Sequence, residues 1–268
     1  IIDLMLSQND VSASKLSRDQ LVATLGLDKS IWQQYLTWIG GILFAGDFGR
    51  SLWQNAPVRE LLFARLPITF ELGLLALIVA LIVAIPIGVY SAIRQDTSGD
   101  YLTRSFSILM LAIPSFWMGT MVMVFPSIWW GWSPQMMFVP FREDPLRNLG
   151  HLIVPAIILG TSLSAVTMRL TRTMMLEVLR QDYIRTARAK GMPEWRVILK
   201  HGLRNAFLPI IAMIGLDVGI FMSGVVVVEN VFGWPGIGQL MWQAIQTLDI
   251  PIIMGVTVVA AAFIIAGN

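Results

Sequence analysis

Residues 72–93 form an apolar run of 22 positions without one charged side chain. About 20 such residues, rising about 1.5 Å each, are what a helix needs to cross the hydrocarbon core of a bilayer. Four more runs of this kind follow: residues 105–141, residues 152–168 extending toward 175, residues 205–228 with Asp217 inside, and residues 250–268. Only 13% of the chain is charged and 56% is hydrophobic, against about a quarter charged in globular domains. The chain is expected to be an all-α, polytopic integral membrane protein with five spanning helices embedded in the lipid bilayer. Pro86, Pro114, Pro155, Pro209 and Pro251 lie in or beside the runs and predict kinks, which are tolerated where neighbouring helices satisfy the freed backbone groups.

Lysine and arginine accumulate in cytoplasmic connections, and here their distribution is lopsided. Nine fall between Arg169 and Arg204, and two more are Arg94 and Arg104; the alternate connections hold Arg142 and Arg147, then none across residues 229–249. The 169–204 connection is therefore expected in the cytoplasm. Trp129, Trp130, Trp132, Trp234 and Trp242 then fall at outer ends, where aromatic belts form. In this orientation residues 1–66 are an extracytoplasmic segment with short helices, and residues 67–268 are the transmembrane domain. The opening IIDLMLSQND lacks the basic start and apolar core of a signal peptide, so a further span before Ile1 is expected, six in the whole protein. In the outer segment Ser17 and Gln20 form a capping-box pattern, and SIWQQYLTWIGGILF at residues 30–44 has the spacing of a helix lying on a membrane surface.

Several chemistries find no support. Cysteine is absent, and His151 and His201 stand alone, so no metal-ligand pattern exists. The glycine-rich loop with lysine that cradles nucleotide phosphates is missing, and no convergent catalytic groups occur within the runs. No catalytic residue, metal or cofactor of its own is expected, and the chain does not read as an enzyme.

The basic connection has internal punctuation. From Leu176 to Lys190 the pattern is helical and ends at Gly191, a residue suited to the left-handed conformation that closes a helix. Pro193 and Glu194 suit the first turn of a second helix, running through Trp195, Val197, Ile198 and Leu199 toward Asn205, with Pro209 at the entry to the next span. Thr186, Ala187 and Ala189 are small enough for another surface to approach closely, and Arg185, Arg188 and Lys190 place charge at the edge. A basic helix-turn-helix also binds DNA in other settings, but spans begin directly at both ends, and no nucleic-acid partner is expected. Outside this connection, Asp217 inside a run and Glu229 and Asp249 at the outer ends of the last two runs are candidate pathway or gate residues. Each has a structural alternative: Asp217 satisfied at a subunit interface beside Gly215 and Gly219, and Glu229 and Asp249 as interfacial caps.

The connection and its flanks resemble the permease subunits of binding-protein-dependent ABC importers, in the dipeptide, oligopeptide and nickel branch. The resemblance is carried by DYIRTARAKGM at 182–192, HGLRNAFLP at 201–209, VVVVENVFGWPGIGQL at 225–240 and DIP at 249–251, with GDFGRS at 46–51, LPITFEL at 66–72 and IPSFW at 113–117 upstream. The broad importer motif begins with glutamate and two alanines, where this chain has Arg185, Thr186 and Ala187, a departure that resembles the peptide and nickel branch. The resemblance implies the type I importer permease fold. It also implies a coupling helix at Asp182, Tyr183, Arg185, Thr186, Ala187, Arg188, Ala189, Lys190 and Gly191, within a coupling region at 176–205, that seats in a groove of an ATPase. The expected partners are a second homologous permease, two ABC ATPase subunits that bind ATP and magnesium, and an extracytoplasmic substrate-binding protein. The expected cargo is di- and oligopeptide, with nickel or glutathione as alternatives within the family and a passive channel as the alternative of a different class.

Overall fold

The computed structural model describes residues 28–132 and 138–267, without the side chains of 216–224 and 267. The expected Ser17–Gln20 cap and the side chain of Asp217 lie outside the described residues. All regular elements among the described residues are helical.

Helix α1 spans Ile31–Gly40 and continues through a π-helical turn, Gly41–Ala45. Its start is a capping box: the Gln33 N–H donates to the Ser30 hydroxyl, while the Ser30 N–H donates to the Gln33 side chain. Helix α2 is Val58–Ile93, with Pro67 and Pro86 inside it. Helices α3 (Ser98–Ala112) and α4 (Ser115–Trp130) follow, then α5 (Pro145–Leu179), opened by the Asp144 cap. The basic connection contains α6 (Asp182–Ala189) and α7 (Glu194–Arg196); α7 runs through a π-helical stretch, Val197–Leu203, straight into α8 (Arg204–Phe232). Helices α9 (Ile237–Thr247) and α10 (Ile250–Gly267) complete the order.

Two expectations about spans change. Residues 105–141 do not form one straight span: α3 and α4 meet at 88°, and only together do they reach spanning length. Ile113 is extended (φ −90°, ψ 117°) because the ring of Pro114 disfavours a helical conformation in the residue before it. Among the described residues, α2, α5 and the continuous Glu194–Gly215 rod are long and apolar enough to cross a bilayer, four if the bent pair counts as one, while Ile250–Ala266 is a shorter apolar helix. Pro155 and Pro209 sit inside α5 and α8 without breaking them, so Pro209 is not the boundary it was expected to be.

The chain forms two compact units, residues 1–64 with 243–256, and residues 65–242 with 257–268. In the first, Val58, Leu62, Ile252 and Val256 are buried, and Gly255 lies directly on Val58. In the second, a core of Ile68, Leu72 and Ala76 from α2, Leu152, Ala156 and Leu159 from α5, and Val225, Val228 and Phe232 from α8 closes around Trp234. Lipid supplies no hydrophobic drive between helices, so close approach at small residues carries much of such packing. Gly160 of α5 marks the approach to α2: a Cβ there would stand 2.7 Å from the Ala76 carbonyl oxygen and 2.7 Å from the Val79 side chain. Gly160→Val is expected to lower stability in detergent by about 1–3 kcal/mol. Gly150→Ala, where a Cβ meets nothing within 4 Å, should not lower it. Thermal unfolding of the two variants side by side checks the contrast.

Candidate functional site

The basic connection is a small folded unit. The single helix expected over 176–190 is two: α5 stops at Leu179, Gln181 turns extended (φ −71°, ψ 150°), and α6 starts afresh with Asp182 in its first turn. An acid at this end is favoured by the helix dipole, and the reorientation lets α6 bury Ile184 and Ala187 against Val197, Leu179 and Met192. Beyond the last turn the Gly191 N–H donates to the Arg188 carbonyl at 2.9 Å and the Met192 N–H to the Ala187 carbonyl at 3.3 Å. These are the two bonds of a Schellman cap, and Gly191 supplies the left-handed residue at φ +75°. Met192 completes the motif by packing on the same cluster.

Polar contacts join the second helix to the first. Arg188 donates to the Glu194 carboxylate through Nε (3.2 Å) and NH2 (2.6 Å), across the glycine turn. Glu194 raises the Arg188 guanidinium above its ordinary value. Both groups are exposed, so the fork fixes geometry more than it adds stability. Pro193 is extended and precedes the helix, whose first residue is Glu194. The Asn205 amide donates to the Tyr183 hydroxyl at 2.9 Å. Of the predicted coupling residues, Ile184's neighbour on the inner face, Ala187, turns inward, while Asp182, Tyr183, Arg185, Thr186, Arg188, Ala189 and Lys190 are exposed. Arg185 bonds Asp182 on the same surface at 3.2 Å. Ala187 is thus a packing residue, and the outward face belongs to the others.

The two described pathway candidates are sealed. Glu229 has no exposed surface and Asp249 has 1%. The Thr69 hydroxyl of α2 donates to Glu229 Oε1 at 2.6 Å, and the Gln239 N–H of α9 donates to Oε2 at 3.1 Å. The Ile237 N–H completes the network by donating to Thr69 Oγ1 at 2.8 Å. A carboxylate therefore meets the positive end of α9, where free N–H groups await an acceptor. Gly236 and Gly238 make room for it: a Cβ on the first would strike the carboxylate, and one on the second would stand 2.5 Å from Val226 Cα. Glu229 also lends its carbonyl to the Trp234 N–H at 2.8 Å, in a second Schellman cap around Gly233. Separately, Asp249 Oδ2 accepts from the Ser51 hydroxyl at 2.5 Å and from the Leu52 N–H at 3.1 Å, and the Trp53 indole donates to the Thr247 carbonyl at 2.7 Å.

A third buried carboxylate, Asp100, pairs with Arg172 at 2.8 Å. Arg172 was one of the nine basic residues of the connection and Asp100 was not singled out, since no local signal links positions 72 apart. Thr69 and Ser51 stood inside the LPITFEL and GDFGRS blocks, so hydroxyls embedded in those blocks were the available clue.

The family blocks are thus joined in space by buried carboxylates, LPITFEL to ENVFGWPGIGQL through Glu229 and GDFGRS to DIP through Asp249. A family model described as binding-protein-dependent transport system inner membrane component matches residues 84–268. The chain is 43% identical over 269 residues to the oligopeptide transport system permease protein AppB of Bacillus subtilis (strain 168), across 99% of this chain and 85% of that protein. It is 38% identical over 288 residues to the dipeptide transport system permease protein DppB of Escherichia coli (strain K12), with the same two coverages. With these blocks, this helical architecture and matches that run nearly end to end, the chain is a multi-pass protein of the cytoplasmic membrane and belongs to the inner-membrane permease family of binding-protein-dependent ABC importers.

Proposed function

We propose that this chain is one of two permease subunits that together line the path of a peptide importer, with α6 as the element through which partner ATPases drive alternating access. One observation carries the reading. The unit from Asp182 to Leu203 is locked internally by the Ile184–Ala187–Val197 cluster and the Gly191 cap, presents Tyr183, Arg185, Thr186, Ala189 and Lys190 outward, and continues without interruption into α8. A rigid knob fused to a spanning rod transmits a push; a topogenic loop needs no such packing. ATP and magnesium belong to the two ATPase subunits, which close on nucleotide and bring the knobs of the two permeases together. An equilibrium between inward-open and outward-open bundles then shifts because ATP binding favours one of them. The substrate-binding protein delivers cargo from the opposite side.

Peptide cargo is supported by the names of the relatives, an oligopeptide and a dipeptide permease. Uptake of labelled dipeptide into vesicles holding the whole transporter should depend on ATP and should not be competed by nickel or glutathione; uptake that proceeds without ATP would make the pathway a channel. Gly191→Val places a β-branched side chain in a left-handed backbone, a strain of about 1–3 kcal/mol. The expected product is an assembled transporter that still hydrolyses ATP while uptake per ATP falls about tenfold, equivalent to about 1.4 kcal/mol of lost coupling. Parent-like uptake by this variant would remove α6 from the mechanism.

A further inference from the structure

The junction of α2 and α3 holds a buried polar cluster that the transport reading leaves unused. Asp100 has no exposed surface. Its carboxylate accepts Arg172 Nε on one oxygen and Arg172 NH2 on the other, both at 2.8 Å, together with the Asp96 N–H at 3.1 Å and the Ser91 hydroxyl. Three helices meet there: Ser91 near the end of α2, Asp100 in the first turn of α3, and Arg172 in the last third of α5. Helix α3 packs along α5, and Asp100 and Ser107 are its buried residues, so the cluster is the polar tie at the start of that contact. At its other end α3 meets the 88° joint before α4.

Arg172 stands on the part of α5 that carries the coupling unit. Met175, less than one turn further on, is fully buried with Val89 and Ala92 of α2 and Ala206 of α8. A Cβ on Gly202 of the π-helical stretch would stand 3.2 Å from Met175 Cε and 3.4 Å from a Leu179 methyl. Leu179 in turn packs on Ile184, Ala187 and Val197. Packed atoms therefore run unbroken from α6 through α5 to Asp100. An ion pair is a poor device for stability alone, since apolar groups of the same volume serve as well in many buried sites. What the two-pronged guanidinium adds is a fixed distance and a fixed angle between the helices it joins.

We propose that the Arg172–Asp100 pair locks the start of α3 and the end of α2 to the coupling unit, so that motion received by α6 moves all of them as one block and reaches the bend at Pro114. Arg172 and Asp100 are positioning residues for transport. This rests on the reading that α6 receives the ATPase stroke.

The chain has no cysteine, so Asp100→Cys with Arg172→Cys creates a unique thiol pair in this subunit of the assembled transporter. In vesicles the uncross-linked pair should hydrolyse ATP while dipeptide uptake per ATP falls about tenfold. A short, rigid bifunctional maleimide that restores a fixed tie should return the ratio to within about twofold of the parent. Arg172→Lys, which keeps the charge and loses the fork, should assemble normally and lose about threefold. Parent-like coupling in the uncross-linked pair or in Arg172→Lys overturns the proposal, as does a cross-linked transporter that hydrolyses ATP without recovering uptake. Should the thiol pair fail to assemble, Arg172→Lys decides alone. If the coupling reading itself is wrong, Gly191→Val also leaves the ratio unchanged; if only this inference is wrong, Gly191→Val uncouples and the Arg172 and Asp100 variants do not.

Discussion

A carboxylate held away from water must find donors or be expelled, and at Glu229 this constraint ties three helices together. Its two oxygens take a hydroxyl from α2 and a backbone N–H from the start of α9, while its carbonyl closes the turn that ends α8. Helix α2, 160 residues away in the chain, is thereby fixed against the consecutive α8 and α9 at a single residue. The surrounding sequence follows from it. Glycines stand at 236 and 238 because the carboxylate and the Val226 backbone occupy the space a side chain would need, and Trp234 fills the core beside Phe138, their rings at 5.6 Å and nearly perpendicular.

Asp249 and Asp100 repeat the device elsewhere. Each ties a segment distant in sequence to a turn or helix start, and each draws its donors from a serine hydroxyl and a backbone N–H, with Arg172 added at Asp100. In a chain this apolar, van der Waals contact at small residues brings helices together but discriminates poorly between rotations and registers. Buried polar contacts discriminate strongly, because one misplaced residue leaves a charge unsatisfied. The stiffness that results is what lets a displacement at α6 be felt within the bundle instead of being absorbed locally.

What the sequence disclosed depended on how local the cause was. The runs at 72–93 and 152–175 read directly as helices because hydropathy is a property of each residue, and the Gly191 turn was legible because only glycine takes φ +75° without strain. The interruption between Leu179 and Asp182 was not legible: residues 176–190 carry helix formers throughout, and tertiary burial of Ile184 and Ala187 overrode that local preference. The bend at Pro114 was read only as a kink, since propensity marks where a helix is weak but not how far its halves diverge. Glu229 and Asp249 were recognised as unusual charges, yet their partners were not legible, because nothing in one dimension shows that Thr69 and Ser51 stand opposite them.

The most direct test of Glu229 as the organising residue is a double-mutant cycle on Thr69→Val and Glu229→Gln, read by thermal unfolding of the purified protein in detergent. If Glu229 organises the fold through Thr69, the two changes are expected to be non-additive by about 1–3 kcal/mol, the second substitution costing little once the first is made. Effects that add to within about 0.5 kcal/mol would mean that the two side chains act independently, and the buried carboxylate would not be what fixes α2, α8 and α9 against one another.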